Sequence, residues 1–75
     1  MRGAGVPSDM DIIVNGESRS VAEGCTVAAL VEDLGLAKAI CAAEVNRVVV
    51  PKAERDARVL EPGDRVEIVT LVGGG

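Results

Sequence analysis

The groups in this sequence that are best placed to do chemistry lie at its end, in Gly73, Gly74 and Gly75. Glycine has no Cβ, so a run of glycines reaches extended and positive-φ conformations at little steric cost. Fully extended, the residues that follow Thr70 span about 17 Å. Such a segment can enter a channel that is too narrow for any side chain. We therefore predict a flexible tail over 73–75 that presents the α-carboxylate of Gly75.

The chemistry open to the Gly75 carboxylate is acyl transfer after activation. A carboxylate is a poor electrophile, because its charge repels nucleophiles and oxide is not a viable leaving group. Adenylation by ATP on another protein is the simplest way to make it reactive, and a flexible tail lets the same group visit more than one active site. The competing interpretation is an ordinary frayed terminus, since chain ends are usually poorly ordered.

The other side chains give little support for a catalytic or metal site. The chain has no His, which removes the commonest general base and metal ligand. The adjacent acids Glu32 and Asp33 suit a solvated helix face better than a catalytic pair. Cys25 and Cys41 match no zinc-binding spacing and have no His to activate them, so we expect two reduced, structural thiols. The sequence thus predicts no enzyme, no catalytic residue, no metal and no bound cofactor.

The composition of the chain indicates which classes of partner it is suited to bind. The chain has 75 residues, no aromatic residue and a net charge of −4, which suits neither phosphate backbones nor base stacking. No apolar run approaches the roughly 18 residues that span a bilayer. We expect one cytoplasmic domain that binds neither nucleic acid nor membrane. The basic residues are offset by neighbouring acids and form no patch: Arg47, Lys52, Arg55, Arg58 and Arg65.

Turn signals and apolar spacing predict one helix and five strands. Asn15-Gly16 is a strong hairpin signal, because both residues tolerate the positive φ of a type I′ turn. Thr26 is suited to cap a helix whose apolar residues recur at helical spacing from Val27 to Leu34, and Gly35 is suited to end it. The predicted strands cover 11–14, 17–21, 40–45, 48–50 and 65–72. The segment 52–58 is expected to be an irregular or short helical turn.

This order predicts an α+β domain with a mixed five-stranded sheet packed on one main helix, the β-grasp or ubiquitin-like fold. We place a flexible leader at 1–9, the domain at 10–72 and the tail at 73–75. One helix covers only one face of the sheet. Alternation along the last strand then turns Val69 and Leu71 toward the open face, where apolar groups beside a reactive tail indicate a docking surface.

From Met10 to Gly75 the sequence resembles ThiS, the sulfur-carrier family of thiamine thiazole synthesis. The matching stretches cover 12–16 (IIVNG), 26–30 (TVAAL), 45–51 (VNRVVVP), 63–69 (GDRVEIV) and 72–75 (VGGG). Each stretch is weak alone, but together they cover nearly the whole domain in family order. The family often has an aromatic residue shortly after the Pro51 position, where this chain has Arg55.

The resemblance implies that a ThiF-type, E1-like enzyme adenylates Gly75 with ATP. A sulfur-donor system then converts the carboxylate to a thiocarboxylate, and thiazole synthase accepts the sulfur. By position Gly73 and Gly74 form the tail and Gly75 bears the sulfur. Alternatives remain open: a sulfur carrier for molybdopterin, cysteine or thio-sugar synthesis, a ubiquitin-like modifier joined to lysine through Gly75, or a structural domain with an idle tail.

Overall fold

The computed structural model describes residues 9–71 and has one helix packed against a mixed sheet. The strands are β1 (Asp9–Val14), β2 (Glu17–Ala22), β3 (Cys41–Val45), β4 (Val48–Val49) and β5 (Arg65–Thr70), and the helix is α1 (Val27–Asp33). A short 3-10 helix covers Lys52–Glu54. This is the predicted α+β arrangement.

The sheet has the order β2-β1-β5-β3-β4. β5 lies at its centre, parallel to β1 and antiparallel to β3, and the two hairpin pairs β1–β2 and β3–β4 are antiparallel. The polar strand β2 lies at an edge, as its composition predicts. The strand that leads to the glycine tail is therefore hydrogen-bonded on both sides.

The β1–β2 hairpin turns at Asn15 and Gly16, whose φ angles are 50° and 85°. Both values are positive, as a type I′ turn requires. The Asn15 side chain then continues the ladder to β5, where its Oδ1 accepts from the Ile68 N–H at 2.9 Å and its Nδ2 donates to the Ile68 carbonyl at 3.3 Å. One residue thus ends a strand and ties the hairpin to the centre of the sheet.

Helix α1 begins and ends where local signals predict. The Thr26 hydroxyl accepts a hydrogen bond from the Ala29 N–H at 3.1 Å, which satisfies an otherwise unpaired donor of the first turn. Beyond the helix, Gly35 has a φ of +79°, a value that favours glycine. The helix buries one stripe against the sheet, consisting of Val27, Leu30 and Val31.

The core lies between α1 and the inner face of the sheet and contains only aliphatic side chains, alanine and methionine. Its members are Met10, Ile12, Val14, Val21, Val27, Leu30, Val31, Ala43, Val45, Val50, Leu60, Val66 and Ile68. Along β1 and β5 buried and less buried residues alternate, because successive side chains of a strand point to opposite faces. Within residues 9–71, no helix covers the opposite face of the sheet.

Strand ends differ from the sequence prediction by one or two residues. β1 begins at Asp9, which pairs with Ala22, so Asp9 belongs to the sheet rather than to a leader. β5 ends at Thr70 instead of residue 72, and β3 begins at Cys41 instead of residue 40. These ends depend on partner strands, which apolar patterning does not specify. Between residues 9 and 71, no helix has the length and apolar character needed to cross a membrane.

Candidate functional site

The end of β5 is hydrogen-bonded to β3 and to the residue that precedes it. Cys41 of β3 lies opposite Thr70, and one residue further the Leu71 N–H donates to the Ile40 carbonyl at 2.8 Å. The predicted tail residues Gly73, Gly74 and Gly75 lie outside the described residues, and their roles stay predictions. What the structure describes is the surface on which such a tail begins.

That surface is apolar on the open face of the sheet. β5 buries Val66 and Ile68 on the helix side, whereas Val69 and Leu71 are each 56 % exposed. Ala42 pairs with Val69, and Ile40, which is 70 % exposed, lies opposite Leu71. We call Ile40, Ala42, Val69 and Leu71 the outer apolar patch. It borders the point where the chain continues toward the glycines; the docking role of Val69 and Leu71 stays a prediction.

Charged residues lie on the same face, further from the end of β5. Glu44 of β3 and Glu67 of β5 are directly opposite each other. Together with Asn46, Arg47 and Arg65 they line a shallow depression of about 280 Å³. Like charges at directly opposed positions destabilise a sheet slightly. On the open face, β3 and β5 therefore carry apolar side chains near the end of β5 and charged side chains of mixed sign further from it.

The described residues offer no arrangement for metal binding. In the 9–71 range there is no group of three or more His, Cys, Asp or Glu residues that could hold a metal ion. The acids Glu32 and Asp33 are both exposed. Asp33 forms an ion pair with Arg19, in which Oδ2 of Asp33 lies 3.0 Å from Nη2 of Arg19. This ion pair ties the end of α1 to β2 and is a structural arrangement.

The two cysteines are free thiols in different surroundings. Burial raises the pKa of the Cys25 thiol, the nearby Asp33 carboxylate raises it further, and Arg19 partly opposes both effects. The Cys25 Sγ donates to the Thr26 carbonyl at 3.4 Å. Burial and Asp33 thus favour the neutral thiol at Cys25, and the structural role of this residue stays a prediction.

The sequence did not reveal the position of Arg55. It was predicted to be one of several basic residues offset by neighbouring acids, but its side chain is buried, with an exposed fraction of 9 %. Its Nη2 donates to the Cys41 carbonyl at 2.7 Å, and its Nη1 lies 3.7 Å from the Cys41 Sγ. Nothing in the local pattern marks this burial, because the alternating charges of 52–58 are typical of an exposed turn.

Comparison with known proteins identifies the family. The model of the ThiS family matches residues 12–75, which include the glycine tail. The chain belongs to the ThiS family. A crystal structure of the thiamine biosynthesis protein ThiS from Geobacter metallireducens has a TM-score of 0.75 and 35 % identity, covering 88 % of this chain and all of that one. The resemblance based on sequence motifs is therefore confirmed, and with it the expected β-grasp fold.

Curated relatives are of two kinds. The sulfur carrier protein ThiS of Escherichia coli is 29 % identical over 66 residues, covering 88 % of this chain and 100 % of the relative. Thiazole synthases of Paramagnetospirillum magneticum and Magnetococcus marinus are each 38 % identical over 66 residues, again covering 88 % of this chain. This ThiS-family chain spans only 20 % of the length of those two relatives.

Proposed function

We propose that this ThiS-family chain carries sulfur as a thiocarboxylate on Gly75 and delivers it for thiazole formation in thiamine biosynthesis. The observation that carries the proposal is the position of the outer apolar patch. β5 pairs with β3 up to Thr70, and the Leu71 N–H donates to the Ile40 carbonyl. The exposed side chains of Val69 and Leu71 lie where the chain continues to its terminal glycines. A docked partner would thus find the Gly75 carboxyl within reach of its active site.

The proposed chemistry needs a partner that uses ATP. An oxygen of the Gly75 carboxylate attacks the α-phosphate of ATP, which forms an acyl adenylate and releases pyrophosphate. Sulfide (HS⁻) supplied by a donor system then attacks the acyl carbon, the bond from that carbon to the phosphate oxygen breaks and AMP leaves. Loss of the proton on sulfur gives the terminal thiocarboxylate. This chain contributes the acyl group and the docking surface, so it acts as a carrier, and a ThiF-type enzyme supplies the nucleotide site.

Thiazole synthase is the proposed acceptor of the sulfur. Two relatives with that name contain a segment similar to this chain, which amounts to 20 % of their length. A carrier segment in the same chain as the acceptor enzyme would favour direct delivery of the sulfur from the carrier to that enzyme. We propose that the outer apolar patch docks on the adenylating enzyme and on thiazole synthase in turn, because both must approach the same end of β5.

The setting that fits this chemistry is the cytoplasm. Both cysteines are free thiols, and reducing compartments keep thiols in that state. ATP-dependent activation suits the same compartment. The net charge of −4 and the absence of aromatic residues make nucleic acid an unsuitable partner.

Intact-mass spectrometry tests the proposed modification. The full chain is incubated with a ThiF-type enzyme, ATP and a sulfur donor, beside a matched variant that lacks Gly75. We expect the wild-type mass to rise by the exchange of one oxygen for sulfur, and the truncated variant to stay unchanged. Conjugates to lysine would instead indicate a ubiquitin-like modifier. An unmodified wild-type chain, with the enzyme active on its own carrier, would contradict the proposal.

A further inference from the structure

The open face of the sheet carries two like charges that no ion pair within residues 9–71 neutralises. Glu44 of β3 lies directly opposite Glu67 of β5. The ion pairs in this part of the chain involve other acids, Asp33 and Asp64. Carboxylates at directly opposed positions repel each other across the strand pair. Glu44 is half-buried and Glu67 is exposed, so a cation from outside the chain can approach both.

Two arginines lie near the glutamates without pairing with them. Arg47 and Arg65 line the same shallow depression, yet neither forms an ion pair with Glu44 or Glu67 among residues 9–71. Arg65 precedes Glu67 by two residues on β5, which places it roughly 7 Å further along the same face of the strand. The arginines therefore form a separate basic position next to the acidic one.

The open face thus has a fixed order of chemistry along β5. Arg65 is followed by Glu67, and Glu67 is followed by the outer apolar patch. Glu44 doubles the acidic position on β3, and Val49 of β4, which is 60 % exposed, lies on the other side of Glu44. The two carboxylates therefore have exposed apolar side chains on two sides. A partner that covers these apolar groups also excludes water around the carboxylates, which strengthens an ion pair formed there.

We propose that Glu44 and Glu67 together receive a basic side chain of the adenylating partner that docks on the outer apolar patch. The inference rests on the proposed function and specifies the chemistry of its partner, an arginine or lysine that lies roughly 7 Å from the apolar contacts. The planar fork of an arginine can bind two carboxylates at once. Because the order along β5 is basic, acidic and apolar, the charges fix the orientation of the partner on the sheet.

This role has opposite consequences for the free chain and for the complex. Glu44→Gln removes the repulsion across the strand pair, so it should raise the urea midpoint of the free chain slightly. The same substitution removes a contact with the partner's cation, so it should weaken the complex. A purely structural role would lower stability and binding together. A fall in both quantities would therefore overturn the proposal.

The test compares two double variants of equal net charge by calorimetric titration with a ThiF-type enzyme. Glu44→Gln/Glu67→Gln alters the open face, whereas Glu32→Gln/Glu54→Gln alters exposed residues in helical segments. We expect the first variant to raise the Kd by about tenfold and the second to bind like wild type. Added salt should weaken wild-type binding more steeply than binding of the open-face variant, because salt screens the ion pair.

Pyrophosphate release by the same enzyme separates this inference from the proposed function. If the wild-type chain is activated but the open-face variant binds as tightly as the control variant, the inference is overturned and the proposed function stands. If the enzyme neither binds nor activates the wild-type chain, both fail. A free chain that forms a dimer, which the open-face variant dissociates, would also overturn the inference, because a second copy would then occupy this face.

Discussion

At the scale of single residues, three side chains join backbone segments through hydrogen bonds: Thr26, Asn15 and Arg55. Thr26 caps the helix and Asn15 turns the hairpin as predicted, because each acts on backbone groups within a few residues of itself. The burial of Arg55 against Cys41 joins residues 14 positions apart through packing. No pattern in the 52–58 segment specifies such a contact.

The Thr26 cap gives a prediction for stability. Thr26→Ala removes the hydroxyl that accepts from Ala29, and it should lower the free energy of unfolding by about 1 kcal/mol. Thr26→Ser keeps the acceptor and should lose much less. Urea denaturation followed by circular dichroism measures both, and equal losses in the two variants would show that the cap hydrogen bond contributes nothing.

Cys25 gives a prediction for alkaline pH. Its folded pKa is raised by burial and by Asp33, so folding favours the neutral thiol. The corresponding stability is fully present below the unfolded pKa and is lost as pH rises through the higher, folded pKa. Wild type should therefore lose more stability than Cys25→Ser between neutral and alkaline pH.

The measurement is the difference between the urea midpoints of the two chains at each pH. A difference that stays constant across the titration would mean that the folded and unfolded thiols titrate alike. Because other groups also ionise at alkaline pH, only the difference between the variants reports on Cys25.

At the scale of elements, the sequence predicted the number of strands and helices, but it did not specify which strands pair with each other. Apolar alternation in β5 was visible, and the structure has Val66 and Ile68 buried with Val69 exposed. The parallel pairing of β5 with β1 and the Glu44–Glu67 opposition depend on register between distant segments. The central position of β5 was not predicted and comes from the sheet order of the structure.

The outer apolar patch gives a prediction at this scale. Leu71→Glu puts a charge where we propose that the adenylating enzyme docks. It should raise the Kd for that enzyme by about tenfold or more, which corresponds to a loss of roughly 1.4 kcal/mol of binding free energy. The fold should persist, because this side chain is 56 % exposed. Val59→Glu is the matched control: Val59 is 47 % exposed and pairs with Thr26, outside the patch.

Isothermal titration calorimetry with a ThiF-type enzyme measures these affinities. Weak binding by Leu71→Glu together with wild-type binding by Val59→Glu supports the patch as the docking surface. If both variants bind as wild type does, docking uses another surface. The same pair of variants, titrated with thiazole synthase, tests whether both partners use the patch.

At the scale of the whole molecule, one helix on one face of the sheet determines which surface remains open. The aliphatic core between α1 and the sheet needs no aromatic residue, and the uncovered face combines the outer apolar patch with the charged residues around Glu44 and Glu67. The family and its fold were recognisable from motifs spread over the chain. Strand alternation predicted Val69 and Leu71 of the patch, whereas the contribution of Ile40 and Ala42 became visible only with the pairing of β3 and β5.

The central claim is that the carboxyl group of Gly75 is the acyl group that becomes activated. Deleting Gly75 draws the terminal carboxylate back by roughly 3.5 Å, one extended residue. Misplacing a reacting atom by about 1 Å can cost on the order of a hundredfold in rate. Gly74→Val keeps the length but adds a branched side chain where we propose a narrow channel. Neither residue belongs to the core of residues 9–71.

The most direct measurement is pyrophosphate release from ATP by a ThiF-type enzyme, with the full chain, the chain lacking Gly75 and the Gly74→Val variant compared at equal concentration. Melting curves of the variants should match wild type. We predict rapid release with the wild-type chain and nearly none with either variant. Release at the wild-type rate from the chain lacking Gly75 would show that Gly75 is not the activated group, and would contradict the sulfur-carrier account.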